Sequence, residues 1–336
     1  MSTLRTLFSA GWALLAAVGC SGPAASYRTV DGVMLGTRLH IVADAPTDAQ
    51  TLYAAAMQLD SAAKRSMSLF DEGSLLNRLN RNETDSTDCH IRRNILLADS
   101  VSRLCGGAYD ITVAPLVRAW GFAGSDAETA PNVDSIRTFV GYEKIRLDGD
   151  RLCKADPRVQ LDLNSIAKGY TVDLLAERLE QLGAANYIVD IGGEVRCKGV
   201  NRQGRPWRIG VESPFDGNMT DGDYIERRIA LSAGALATSG NYRRFYLDAA
   251  GRKVAHTIDP RTGYSRLSRL LSATVVAPTC AEADALGTMF MALGDEAALQ
   301  FAAAHPELPI YLILAGDGDR FEEYVSPAME QLMLAK

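Results

Sequence analysis

Five short stretches of this 336-residue chain bring glycine, small polar residues and carboxylates together: residues 106–112, 161–169, 238–243, 256–263 and 282–288. Such mixtures suit chemistry, because glycine lets backbone approach a ligand while carboxylates and hydroxyls hold cations or protons. In the last stretch Asp284 and Thr288 lie four positions apart. On a helix that spacing puts a carboxylate and a hydroxyl on one face, where both can reach a single oxygen-seeking cation beside a phosphate. A solvated pair with a local hydrogen bond has the same spacing, so alone it does not choose. In the second stretch Ser165 follows Asp162 and precedes Lys168. A helix opening there would turn its amides toward phosphate or metal and set an ammonium one turn on, although capping is the plainer use of a serine. Of the four histidines only His256 sits among such residues. It is the candidate proton acceptor, with a purely structural imidazole as the alternative.

These side chains need a scaffold, and the pattern of the chain predicts one. Residues 37–42 alternate like a strand, and Thr47 with Gln50 forms a capping box for a helix carrying Leu52, Ala56, Leu59 and Ala63 on one face. A second helix is predicted over 91–105, stopped by Gly106 and Gly107. Residues 109–113 read as a short strand, and Pro115 suits the first turn of a helix toward Trp120. Asp148-Gly149-Asp150 predicts a hairpin between 145–147 and 151–153. A strand at 161–163 runs into a helix over 165–182 closed by Gly183, and 187–191 pairs with 194–197 around Gly192 and Gly193. Further strands are expected at 207–211, 225–231, 244–247, 271–276 and 308–315, with a turn at 259–263 and an apolar helix over 281–293 ended by Gly294. Strands and helices mix without a parallel-crossover rhythm. The class is therefore α/β of the mixed α+β kind, with mainly antiparallel sheets and packed helices.

Composition narrows the function. Net charge is -6, with both signs interspersed, so no face is set up to neutralise a phosphate backbone and nucleic acid is an unexpected partner. There is no P-loop, HExxH, G-x-S-x-G elbow or G-x-G-x-x-G after a strand. Beyond Cys20, the cysteines 89, 105, 153, 197 and 280 form no C-x-x-C pair and no zinc-like spacing.

The first twenty residues differ from the rest: Arg5 is their only charge, and an apolar run over 7–18 ends at Gly19 and Cys20. That run is short for a membrane span and reads as a signal-peptide core. Ala17-Val18-Gly19-Cys20 resembles a lipobox. The expected organisation is a lipoprotein signal over 1–19, a lipidated Cys20 with a tether to residue 29, and one domain over 30–336. Simple secretory cleavage near Ala24 and Ala25 is the alternative.

Taken in order, the stretches resemble the bacterial FAD:protein FMN transferase family, also called ApbE. The resemblance is carried by Leu35-Gly36-Thr37, residues 109–117 through Trp120-Gly121-Phe122, 162–169, 190–193, 207–211, 239–243, 256–263 and 277–288. It implies a flavin groove, with FAD contacts at Met34, Leu35, Phe70, Ala108, Tyr109, Asp110, Asp162, Lys168 and Ile258. It also implies a magnesium site, manganese being the alternative, from the Ser165 carbonyl and the side chains of Asp284 and Thr288. In such an enzyme the cation grips the FAD diphosphate, AMP departs, and FMN passes to a Thr or Ser hydroxyl of an acceptor protein, with His256 as base. Leu35, Phe70 and Gly287 depart from residues common in the family. No copy of the family's acceptor segment is evident in this chain, so the acceptor is expected to be a separate protein, such as a periplasm-facing subunit of a membrane redox complex. A lipid-anchored protein facing the periplasm fits that partner. An FAD pyrophosphatase and a non-catalytic FAD-binding lipoprotein are the rival readings.

Overall fold

The computed structural model describes residues 26–122, 131–215, 224–241, 245–247, 253–255, 257–266, 268–317 and 320–335. In chain order β1 (Arg28–Met34) and β2 (Thr37–Ala43) form a hairpin, followed by α1 (Ala49–Met67), α2 (Leu75–Asn80), α3 (Cys89–Leu104), α4 (Ala114–Ala119) and α5 (Val133–Arg137). A small hairpin, β3 (Ile145–Asp148) and β4 (Arg151–Lys154), precedes α6 (Ala167–Gln181). Then come β5 (Tyr187–Ile191), β6 (Glu194–Lys198), β7 (Trp207–Glu212), β8 (Ile225–Leu231) and β9 (Ala233–Gly240). Short strands β10 (Phe245–Leu247), β11 (Lys253–Ala255), β12 (Ile258–Asp259) and β13 (Tyr264–Ser265) lead to β14 (Leu270–Ala277). The chain closes with α7 (Cys280–Leu293), α8 (Asp295–Ala304), β15 (Ile310–Ala315), β16 (Phe321–Val325) and α9 (Pro327–Glu330).

An eight-stranded sheet in the order β1-β2-β5-β6-β9-β14-β15-β16 is the centre of the molecule, and every neighbouring pair in it is antiparallel. Alternation along its strands divides the core. On β15, Ile310, Leu312 and Leu314 pack with α3 and α7, while Tyr311 and Ile313 face the β7–β8 hairpin with Trp207, Ile209 and Ile229. A strand covered on both faces needs an unbroken apolar run, and Ile310 to Leu314 is one. Leu39, Ile41, Val189 and Ile191 meet α1 and α6 on the helical side. The expected mixed, mainly antiparallel architecture is the one found.

α7 is the helix that the sequence marked most strongly, and it lies deepest. Residues of every azimuth are buried, including Ala281, Ala285, Met289, Phe290 and Leu293. Thr279 caps its start by accepting from the Glu282 N–H at 3.3 Å, and Gly294 ends it with a φ of 75°.

Three local expectations need correction. The cap of α1 is Asp48, whose Oδ1 accepts from Thr51 N–H at 2.7 Å, not Thr47. Residues 109–113 and 161–163 form no strand; a single parallel bridge, Val113 to Gln160, joins the two segments. The reason is local: Asp110 Oδ1 takes the Thr112 N–H at 2.7 Å and Asp162 Oδ1 takes the Asn164 N–H at 2.8 Å. Both carboxylates thereby fold the backbone into Asx turns that compete with a ladder. The helix predicted from residue 165 begins at Ala167, after a turn over 164–166.

Candidate active site

The two Asx turns lie side by side, since the Asp162 N–H donates to the Ile111 carbonyl at 2.7 Å. This brings Asp110, Tyr109 and Asp162 to one place. Ser165 does not cap α6; its Oγ donates to the buried Tyr109 hydroxyl at 3.0 Å. Burial pushes the Tyr109 hydroxyl far up, and the charges of Asp284, Asp162 and Asp110 push it the same way, so three carboxylates surround this phenol. Burial also raises Asp162, with Arg118 opposing, and lifts Asp110 to about 6.

The α6–α7 crossing delivers the second half. A Cβ on Gly169 would sit 2.3 Å from the Cys280 carbonyl oxygen, so only glycine permits the two helices to approach this closely. At that crossing the Gly169 N–H donates to Asp284 Oδ2 at 3.0 Å. Asp284 is 5% exposed, and its carboxyl is pushed up to about 8 by burial and by the charge of Glu194, while Lys168 and the Gly169 N–H pull it down. Lys168 pairs with buried Glu194 of β6 at 2.5 Å. Burial disfavours the charge on Lys168, but Glu194 and Asp284 outweigh it and hold the ammonium above its ordinary value. One turn along α7, Thr288 Oγ1 is 3.4 Å from Ser239 Oγ of β9.

Asp284 and Thr288 lie one turn apart on α7, and the Gly169 N–H ties Asp284 to the helix that follows the Ser165 turn, so the donors on offer are oxygens: a carboxylate, a hydroxyl and main-chain carbonyls. Hard divalent cations such as magnesium and manganese take this set. Two buried carboxylates, Asp284 and Glu194, surround one ammonium, so they do not both ionise without cost, and a cation would stabilise the charged form of the pair. The residues therefore fit such an ion.

The remaining positions expected to contact flavin fall into two groups. Met34 is fully buried at the end of β1, and Leu35 follows with φ at 51°, an unusual conformation for a leucine; its N–H is held by Asp60 Oδ1 at 2.8 Å. Ala108 is buried beside Tyr109, and Ile258 is buried on β12, which packs against α7. Phe70 is 72% exposed, and the structure does not bring it against the others. His256 and Cys20 lie outside the described residues, as do Tyr242 and Arg243.

Residues 35–312 match the ApbE family. The chain belongs to the ApbE family. It is 41% identical over 263 residues to the FAD:protein FMN transferase of Haemophilus influenzae, covering 75% of each chain. It is 34% identical over 331 residues to the FAD:protein FMN transferase of Vibrio cholerae, covering 95% of this chain and 96% of the relative. Among solved structures, the flavin transferase ApbE of Vibrio cholerae superposes with a TM-score of 0.80 at 33% identity, over 92% of this chain and 99% of the other. The apo form of the Pseudomonas stutzeri flavinyl transferase ApbE gives 0.81 at 28% identity, over 93% and 98%.

Within this ApbE site, sequence reading passed over Asp173 and Glu194. Asp173 on α6 accepts from the Cys280 N–H at 2.8 Å and the Ala281 N–H at 2.9 Å, and pairs with Arg196 of β6 at 2.6 Å. It thus anchors the first turn of the helix that carries Asp284 and Thr288. Its signal was available: an acid one turn after Gly169 on the face of α6 that also carries Val172 and Ala176.

Proposed function

We propose that this chain cleaves FAD and transfers its FMN half to a threonine or serine hydroxyl of an acceptor protein, releasing AMP. The observation that carries the reading is the α6–α7 crossing, where Asp284, Lys168 and the Ser165 turn meet beside Tyr109, in a chain whose relatives of nearly full length are FAD:protein FMN transferases. The same relationship implies FAD in a groove lined by Met34, Leu35, Ala108, Asp110, Asp162 and Ile258, while Phe70, exposed and apart from these, is the remaining flavin position of the resemblance.

Asp284, Thr288 and the Ser165 carbonyl would hold magnesium or manganese, which when bound neutralises charge on the diphosphate oxygens. Lys168 offers a second positive charge within the same site, while Glu194 fixes its position. A bond forms between that hydroxyl oxygen and the phosphorus carrying riboflavin, the bond to the AMP oxygen breaks, and His256 takes the hydroxyl proton.

The N-terminal sequence supports export and a lipid anchor at Cys20, with the domain facing the periplasm and a membrane redox subunit as acceptor. No helix among the described residues is long and apolar enough to cross a membrane. Mass spectrometry of the mature N-terminus tests the anchor: an acylated cysteine supports it, and a free amine near residue 25 replaces it with simple secretion. For the reaction, the chain is incubated with FAD, magnesium and a threonine-bearing acceptor. Covalently fluorescent acceptor with one AMP per label supports transfer; free FMN makes the chain a pyrophosphatase, and unchanged FAD makes it a carrier.

A further inference from the structure

Next to Asp162 lies a solvent-open cleft of about 710 Å³, lined by α4, α5, the end of α2 and residues 157–160. That volume is ample for a short peptide segment. Among the described residues its lining includes Arg81, Arg118 and Arg158 and no acidic residue. Two of these cations are already engaged. Arg81 is gripped by Glu83 at 2.6 and 3.1 Å, and Arg158 holds Asp156 at 2.7 Å while its guanidinium lies 4.5 Å over the Phe139 ring.

Arg118 is the exception. Among the described residues its half-buried guanidinium makes neither hydrogen bond nor ion pair, and only the charge of Asp162 reaches it. On the same lining the side-chain oxygen of Gln160 is buried and accepts no hydrogen bond among the described residues. The cleft therefore presents a fork of donors without an acceptor and an amide oxygen without a donor. Groups left in that state are costly, and a ligand that satisfies both gains affinity. An inorganic anion serves only the arginine. An acidic residue within a peptide serves both, with its carboxylate on Arg118 and a backbone N–H on Gln160, while Pro115, Ile136 and Phe139 cover the aliphatic part.

We propose that this cleft docks an acidic segment of the acceptor protein, with Arg118 holding the carboxylate and Gln160 the main chain, so that the segment's hydroxyl is presented beside Asp162. The acceptor's part in this rests on the transferase reading, but docking is measurable without turnover.

The probe is a fluorescein-labelled octapeptide with one threonine and two aspartates, compared by anisotropy with the same peptide bearing asparagines, using the full chain without FAD. The acidic peptide should bind about tenfold more tightly, and the difference should shrink as salt rises. Arg118→Ala should erase the preference and Arg118→Lys should keep part of it. Gln160→Glu, which puts a like charge in the lining, should reverse it, and this serves if the alanine variant misfolds. Equal binding of both peptides, an unchanged preference in Arg118→Ala, or free aspartate binding as well as the peptide overturns the assignment. FMN transfer to the peptide is read separately. Transfer without acidic preference removes the cleft and leaves the transferase, whereas preference without transfer does the opposite.

Discussion

Asp173 and Arg196 join α6 to β6 through a 2.6 Å ion pair, and the same carboxylate closes the first turn of α7. One side chain thus fixes three elements at the point where α7, the helix of Asp284 and Thr288, begins. Helix starts leave unpaired N–H groups that attract negative charge, so Asp173 supplies what Thr279 alone cannot.

Asp173→Ala should therefore cost more than a surface cap. It loses about 1 kcal/mol of capping and leaves Arg196, 20% exposed, without its partner, for a total of roughly 3 kcal/mol. Thermal unfolding checks the size. A magnesium titration should also show weaker metal affinity, with Asp173→Asn intermediate. A melting point within a degree of the parent contradicts the role.

Asp284→Asn should separate stability from function. The carboxyl is pushed up to about 8 by burial, so ionising it in the metal-free protein is unfavourable, and an amide of the same shape avoids that cost. At pH 8.5 without metal the variant should melt higher than the parent. Millimolar magnesium should raise the parent's melting point by mass action and leave the variant unmoved, with transfer abolished. The same metal-induced shift in both proteins would remove Asp284 from the ligand set.

Asp110 gives a pH dependence. Its folded value of about 6 lies above the unfolded value, so the native state keeps a proton that the unfolded chain releases between about pH 4 and 6. Stability attributable to this group is present at low pH and is lost as pH rises through that window, by about 3 kcal/mol at most. Asp110→Asn keeps the acceptor for the Thr112 N–H and should flatten the slope of stability against pH between 4 and 6. Urea unfolding across that range measures it, and parallel curves for the two proteins count against the assignment.

His256→Ala should bind FAD as the parent does yet transfer FMN at least 100-fold more slowly, the usual scale for a lost general base. FAD fluorescence quenching and single-turnover labelling of an acceptor distinguish the two steps. Unchanged turnover takes the histidine out of the reaction.

How much of this could be read from sequence depended on the range of the forces involved. α7 and β15 were legible because burial on every side writes itself as an apolar run, and the β5–β6 hairpin because Gly192 and Gly193 both need positive φ, at 63° and 98°. The segments around Asp110 and Asp162 were misread as strands, because β-rich composition said nothing about carboxylates turning back on their own backbone. The candidate site was legible only in pieces. Spacing offered Asp284 with Thr288, and the family resemblance added Ser165, but the pairing of Lys168 with Glu194 spans 26 positions and that of Asp173 with Cys280 spans 107. The acid on the buried face of α6 is visible locally, but nothing local names the partner of either side chain.

The burial of α7 on all sides bears on how the protein breathes. A helix enclosed by a sheet and neighbouring helices has no small opening of its own, so its amides should exchange with solvent only when the whole molecule comes apart. Asp284 and Thr288 are thereby tied to global cooperativity, whereas Phe70 projects into solvent outside that enclosure. A substitution at Phe70 therefore leaves the packing of α7 untouched, while a change at Asp284 is felt by the fold itself.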